Sequence, residues 1–331
     1  MAHKYISVIV TAYNRSKYVL QAVRSALQQT LPKDLYEVIV VKNFRDETID
    51  RRLEEWGVAN IYSDDTSQGG TIYEGILAAE GEVISILDDD DEFLFTRLSA
   101  LYRAFSQGAC YFHNGKIIVD EVGKEIGRDS YVSFALRDYN DFQKHLRAFQ
   151  KKAFFHNSSS AAIRKSAINT GILKEIKLSV DLFLFFSAIE QDYFTQGRCP
   201  IIFDGATLTR YRVHPYGSFE ENITRLVKAI RRYVDDESLM LEHAKGAVRQ
   251  LIMYMLIRDK LSLRAVPRKF LQGDPPYLAP RELLRWLGFA PVWYRNINLW
   301  GVTAAQVLPE ALKLEALQLK YKREASSALN S

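Results

Sequence analysis

Four consecutive carboxylates, Asp88-Asp89-Asp90-Asp91, form the densest cluster of ionisable groups in the chain. Like charges this close repel, and each carboxyl titrates upward when they are desolvated together. A folded protein accommodates such a run by fanning the side chains into water or by neutralising them with a cation. Carboxylate oxygens suit Mg²⁺ or Mn²⁺, which take one or two carboxylates together with water and substrate phosphates. An acidic run alone is a weak signal, but its position adds to it. The preceding Val83-Ile84-Ser85-Ile86-Leu87 is short, β-branched and uncharged, the pattern of a buried strand. The carboxylates therefore fall at a strand's C-terminal end, the edge where open α/β sheets bind ligands.

The elements that position this run follow from periodicity. Tyr5 to Val10 reads as a first strand ending at Thr11-Ala12-Tyr13-Asn14. Val19, Leu20, Val23, Ala26 and Leu27 recur at helical spacing, and Leu31-Pro32 stops that helix. Tyr36 to Val41 is a second strand, Asp46 to Trp56 a charged helix and Asn60 to Ser63 a third strand. Gly69-Gly70 opens a helix that leads into the acidic strand. Strand and helix thus alternate, which predicts the α/β class: a doubly wound, mostly parallel, Rossmann-like sheet.

Beyond a helix at Leu94–Phe105 the pattern changes. Cys110-Tyr111-Phe112 and Lys116 to Val119 read as a hairpin around Asn114-Gly115. Ser158 to Ile163 reads as a small-residue strand or turn, and Val180 to Ile189 as an apolar helix whose one charge is Asp181. Pro200 to Phe203 and Leu208 to Val213 read as two strands, ending at His214-Pro215. From Tyr216 the spacing is helical, over Ile223–Tyr233, Ser238–Lys260 and Ala304–Lys322. The expected division is 1–215 for the α/β domain and 216–331 for a C-terminal α-helical extension.

Composition sets bounds on this reading. The 331 residues are 47% hydrophobic and 25% charged, as in ordinary globular proteins. Two cysteines, Cys110 and Cys199, are too few for a disulfide framework or a zinc site, so free thiols in a reducing compartment are expected. Met-Ala-His-Lys-Tyr runs straight into a strand without an apolar leader, and no apolar run approaches the ~20 residues that span a bilayer. A cytoplasmic protein is expected. The net charge of +4 is uneven: from Glu221 onward 18 Lys/Arg face 11 Asp/Glu. Trp286, Trp293 and Trp300 lie there with Arg285, Phe289, Tyr294 and Arg295. Such a tail suits peripheral membrane contact, packing onto the preceding domain, or a homodimer interface. Its basic residues are scattered and show no nucleic-acid reading motif, which argues against a nucleic-acid partner.

Taken together, Thr11-Ala12-Tyr13-Asn14, Gly69-Gly70, the aspartate run and Arg210-Tyr211-Arg212-Val213-His214 resemble a family 2 glycosyltransferase of the GT-A fold, over roughly residues 5 to 215. The resemblance implies inverting transfer of a sugar from a nucleotide diphosphate sugar, UDP- or GDP-linked, to a hydroxyl of a glycan or lipid-linked acceptor. Thr11, Ala12 and Tyr13 would meet the base. Asn43 stands where relatives carry an acidic residue, with Lys42 and Arg45 beside it, either near the base or as plain surface charges, and Gly70 would join the donor site. Asp88 and Asp90 match the Asp-x-Asp motif, with Asp88 and Asp89 near the donor and Asp88, Asp90 and His214 around Mn²⁺ or Mg²⁺. Arg210 and Arg212 would pair with phosphate or with the acidic cluster. Asp181 matches the general base, and burial in its apolar run would raise its pKa; a helix N-cap is the structural alternative. Glu190 and Asp192 are fallback bases. His156 and Ser158 fall where acceptors bind. A nucleotidyltransferase and a non-catalytic nucleotide- or sugar-binding module are the competing classes. The first is disfavoured because no glycine-rich loop follows the first strand.

Overall fold

A computed structural model of the chain describes residues 4–195, 199–214, 218–271, 273–289 and 303–329, with backbone alone at 192–195, 307 and 322–329. Pro215, Tyr216, Trp293, Tyr294, Arg295 and Trp300, and the side chain of Asp192, lie outside the described residues. The chain forms two compact units, residues 1–144 with 154–214, and residues 145–153 with 215–331.

The first unit is built on a mixed sheet. Its first half alternates strand and helix: β1 (Ile6–Ala12), α1 (Val19–Leu27), β2 (Tyr36–Lys42), α2 (Glu47–Glu55), β3 (Ala59–Tyr62), α3 (Gln68–Ala78) and β4 (Val83–Asp88). Asp46 caps α2 by accepting from the Thr48 and Ile49 N–H groups, and Ser67 caps α3 through the Gly70 N–H. The second half adds β5 (Glu92–Phe93), α4 (Arg97–Ser106), β6 (Tyr111–Val119), β7 (Glu125–Asp129), β8 (Phe134–Leu136), the start of α5 (Tyr139–Lys151), whose residues from 145 on belong to the second unit, β9 (Ala161–Arg164), α6 (Thr170–Leu173), α7 (Val180–Thr195) and β10 (Ile201–Arg212).

The sheet order is β3-β2-β1-β4-β9-β6-β10-β5, with β7 paired to β6 and β8 to β10. The β1/β2, β1/β4, β2/β3 and β6/β10 pairs are parallel, while β9 runs antiparallel between β4 and β6. The C-terminal ends of β1, β4 and β10 and the N-terminal end of β9 therefore share one edge. On one face Val8, Val10, Val83 and Leu87 pack with Val19 and Val23 of α1 and Leu98, Leu101 and Phe105 of α4. Burying each such side chain contributes about 1.5–3 kcal/mol.

Three local expectations change. Residues 111–119 form one strand, because Asn114 and Gly115 pair with Asp204 and Thr207 of β10, and the buried Asn114 side chain bonds Thr209 and Arg97. Residues 201–212 also form one strand, with bulges between Asp204 and Thr209 against β6. A Cβ at Gly205 would lie 1.8 Å from the Tyr131 carbonyl oxygen, so glycine permits that close approach. Cys110 and Cys199 are not free thiols but a disulfide, with Cα atoms 5.0 Å apart. They precede parallel neighbours in register, Tyr111 opposite Ile201, a proximity that 89 residues of separation conceal.

The second unit is helical: α8 (Phe219–His243), α9 (Gly246–Ala265), α10 (Pro280–Gly288) and α11 (Glu310–Leu329). The break expected after Tyr233 falls instead at Ala244-Lys245, so α8 runs through Asp235–Glu237. Ser218 and Glu221 form a capping box at the start of α8. Ile223, Val227 and Ile230 pack with Leu263, Val266, Phe270 and Leu271. Trp286 does not face outward. It is buried, stacks on Tyr254 at 5.7 Å, and donates from Nε1 to Thr303 Oγ1 at 3.1 Å. Among the described residues no helix is long and apolar enough to cross a membrane.

Candidate active site

The acidic run begins where β4 ends beside β1. Thr11 pairs with Asp88 in the ladder, and the Asp89 N–H donates to the Thr11 carbonyl at 3.1 Å. The Asp91 N–H closes a turn onto the Asp88 carbonyl at 3.1 Å, and Glu92 then pairs with Arg210 of β10. This turn does not fan its side chains into water: Asp89 is 2% exposed and Asp91 1%. Arg15, after β1, bonds Asp89 Oδ1 at 2.7 Å and Asp90 Oδ2 at 2.6 Å. His214 Nε2 also lies 2.7 Å from Asp90 Oδ2. Arg212 pairs with the acidic turn as well: its N–H donates to Asp91 Oδ1 at 2.8 Å, its Nε to the Asp90 carbonyl at 2.9 Å, and its Nη2 to Glu92 at 2.9 Å.

Few donors serve so much buried charge. Asp89 Oδ2 and Asp91 Oδ2 are buried without a hydrogen-bond partner. Burial, reinforced by Asp90, pushes the Asp88 carboxyl up to about 6, although Ser158 Oγ donates to its Oδ2 at 2.7 Å. Burial raises Asp89 to about 7 against the pull of Arg15, and lifts Asp91 well above the carboxylate range.

The donor set suits a divalent ion as a partial shell. Hard carboxylate oxygens and the His214 nitrogen converge at Asp90, and Asp89 keeps an unpartnered buried oxygen. Among the described residues no three His, Cys, Asp or Glu side chains are placed to hold a metal by themselves. A resident ion would therefore depend on ligands from a bound substrate.

Asp181 lies in the first turn of α7, where the chain returns past the start of β9. It is not the N-cap; its side chain is 19% exposed and accepts three hydrogen bonds. His156 Nδ1 and the Asn157 N–H reach Oδ2 at 3.1 and 3.0 Å, and the Leu182 N–H reaches Oδ1 at 2.7 Å. Burial alone would raise this carboxyl, as expected from its apolar run. The hydrogen bond and charge of His156 and the two N–H donors outweigh it and hold the group below its ordinary value. His156 and Ser158 thus touch Asp181 and Asp88 respectively.

The base-side residues are placed less uniformly. Thr11 and Ala12 are buried in β1, Thr11 Oγ1 lies 3.4 Å from Asp88 Oδ1, and Tyr13 is exposed beyond them. The Asn43 amide is engaged by Asn14, accepting from its N–H at 2.8 Å and donating to its Oδ1 at 2.9 Å. Lys42 is no surface charge: it is 2% exposed and bonds Asp50 at 2.8 Å and the Phe44 carbonyl at 2.7 Å. Arg45 lies over the Tyr62 ring at 4.6 Å. Gly70 has a packing reason to be glycine, since a Cβ there would lie 2.0 Å from an Asp65 carboxylate oxygen.

Two arginines carry roles that sequence reasoning did not single out. Arg15 is one, and nothing in its local pattern separates it from a surface charge. Arg97 is the other. It is fully buried and donates to Asn114 Oδ1, Ser85 Oγ and the Ala161 carbonyl at 3.1, 2.6 and 3.1 Å, with its guanidinium 4.0 Å from the centre of the Phe93 ring. It ties β4, β6 and β9 together beneath the site, and burial pushes its pKa down to about 9.

This edge, with carboxylates after β4 of an open α/β sheet, defines a GT-A-like fold. The crystal structure of S. aureus TarS 1-349 in complex with UDP superposes with a TM-score of 0.55 at 14% identity, over 97% of this chain and 92% of that chain. TarS 1-349 in complex with UDP-GlcNAc gives 0.57 at 12% identity, with the same coverage. Residues 7–171 match the model of glycosyl transferase family 2, and the chain belongs to that family. The GalNAc(5)-diNAcBac-PP-undecaprenol beta-1,3-glucosyltransferase of Campylobacter jejuni is 30% identical over 147 residues, 39% of this chain and 45% of that protein. An uncharacterized glycosyltransferase of Nostoc sp. is 34% identical over 105 residues, 30% of this chain and 32% of that protein. The matched part therefore spans less than half of these relatives' lengths.

Proposed function

We propose that the protein is an inverting glycosyltransferase that moves a sugar from a nucleoside diphosphate sugar to an acceptor hydroxyl. One observation carries this reading: Asp181, furnished with three donors, lies on the same unit as a buried acidic turn whose charge calls for a cation. Asp181, held ionised at neutral pH, accepts the proton of the acceptor hydroxyl. The acceptor oxygen then forms its bond to the anomeric carbon as the bond to the diphosphate breaks on the opposite face, so configuration inverts. His156 and the Asn157 N–H orient the Asp181 carboxylate. Asp90, Asp88 and His214 would hold Mn²⁺ or Mg²⁺ only together with ligands from the bound donor. Such an ion supplies charge stabilisation for a departing diphosphate. Thr11, Ala12 and Tyr13 line the base side, and Ser158 keeps Asp88 in place.

Calorimetric titration of UDP, GDP, CDP and dTDP, with and without Mn²⁺, tests the donor. UDP is the first choice because the TarS structures hold UDP and UDP-GlcNAc. Binding of one nucleotide that requires Mn²⁺ is expected; binding of none overturns the reading. A product with retained anomeric configuration would overturn the single displacement.

A lipid-linked acceptor is supported by the undecaprenol-linked name of the Campylobacter relative. The second unit fits peripheral contact with an anionic bilayer. Leu283, Leu284 and Leu287 of α10 are exposed, and the chain from Glu221 onward carries 18 Lys/Arg against 11 Asp/Glu. Flotation with anionic vesicles is expected to recover wild type and to lose a Leu284→Glu, Leu287→Glu variant. Equal recovery of both would remove this contact from the reading.

A further inference from the structure

Arg15 occupies the place where a cation would meet the acidic turn. It follows Asn14, which adopts φ 55°, a left-handed conformation that few residues other than glycine take. The reciprocal amide pair between Asn14 and Asn43 braces that kink. The kinked loop delivers one guanidinium to two carboxylates, Asp89 Oδ1 and Asp90 Oδ2, and brings its Nη1 within 3.3 Å of His214 Nε2. Asp90 Oδ2 is thus shared by Arg15 and His214. A guanidinium at 2.6 Å from that oxygen leaves no room for a divalent ion on the same side. The carboxylates are nearly buried, but the Arg15 side chain is 45% exposed and can swing into solvent.

We propose that Arg15 is a resident countercation that excludes divalent metal from the donor-free site and transfers to the diphosphate when the donor arrives. Its planar fork matches paired phosphate oxygens as well as it matches the two carboxylates. Metal and nucleoside diphosphate then bind cooperatively: the diphosphate draws Arg15 off Asp90, and the freed oxygen becomes available to the ion. The transfer to diphosphate rests on the glycosyltransferase reading, whereas the exclusion of metal does not.

The test is Mn²⁺ titration of the full-length, nucleotide-free protein, read by electron paramagnetic resonance, for wild type, Arg15→Gln and Arg15→Lys. Arg15→Gln is expected to bind Mn²⁺ at least tenfold more tightly than wild type. Arg15→Lys keeps the charge without the fork and should fall between them. Adding UDP should raise Mn²⁺ affinity at least tenfold in wild type and by less in Arg15→Gln. Equal or weaker metal binding by Arg15→Gln overturns the proposal. Should that variant fail to fold, a lysine variant indistinguishable from wild type overturns it. If the variants match wild type while UDP strengthens Mn²⁺ binding equally in all, Arg15 is a surface ion pair and the glycosyltransferase reading stands. If Arg15→Gln binds Mn²⁺ more tightly but no nucleoside diphosphate alters any affinity, exclusion holds and the donor reading fails.

Discussion

The acidic turn at Asp88–Asp91 and the carboxylate of Asp181 belong to the same unit, and burial acts on both. They end on opposite sides of the ordinary carboxylate range. In the turn, charges crowd one another and two buried oxygens lack a partner, so burial prevails and the carboxyls rise. At Asp181, one imidazole and two N–H groups serve a single carboxylate, so the donors prevail and it falls. Burial alone therefore does not predict the direction; the number of donors per charge does. The first arrangement suits a site that waits for a cation. The second suits a base that must already be ionised.

Asp90→Ala should break the first site most severely. Loss of the oxygen shared by Arg15 and His214 is expected to lower transfer by more than about 10³-fold and to remove Mn²⁺-dependent nucleotide binding, measured by initial rates and calorimetry. Asp181→Asn should break only the second. Turnover is expected to fall about 10²- to 10³-fold while nucleotide affinity stays within about threefold. A variant that retains full turnover would remove Asp181 as the base.

His156→Ala sharpens the contrast. Without the imidazole one lowering influence is gone, so the Asp181 carboxyl moves upward. The acid limb of the kcat/KM profile should shift to higher pH, and loss of the orienting donor should lower kcat on the plateau by about tenfold. An unmoved limb would mean that His156 does not act through Asp181.

A smaller effect concerns the layer behind the site. Burial, helped by Lys116, pushes His113 down to about 3, and its ring bonds Tyr131 and the His156 carbonyl. Between that value and the unfolded value near 6.5, the unfolded chain binds a proton that the folded one refuses. Stability should therefore fall as pH drops through this window, by up to about 1.4 kcal/mol per unit. Urea midpoints at pH 7, 6 and 5 should fall less steeply for His113→Gln than for wild type.

The first half of the sheet was legible because its signals are local. β1, β2 and β4 announce themselves as β-branched runs, and the aspartates follow β4 directly. The second half was not. Asn114-Gly115 carries a turn signal, yet pairing with Asp204 and Thr207 of the distant β10 keeps it within one strand. Lys42 reads as a surface charge until Asp50 and the Phe44 carbonyl are seen to enclose it. Trp286 reads as a membrane, packing or dimer contact until Tyr254 is seen to stack on it. Arg97 gives no sign that it will be buried, because its partners come from β4, β6 and the start of β9.

By itself the sequence determined that a run of carboxylates ends a buried strand of an α/β sheet, since both facts lie within ten neighbouring residues. Only the tertiary structure decided what serves those charges. Arg15, Ser158 and the Arg212–His214 strand end come from three distant segments, and His156 reaches Asp181 across 25 residues. Whether a carboxylate waits for a cation or stands ready as a base depends on the donors within about 3 Å of it. Those donors are brought there by chain closure, which no local pattern encodes.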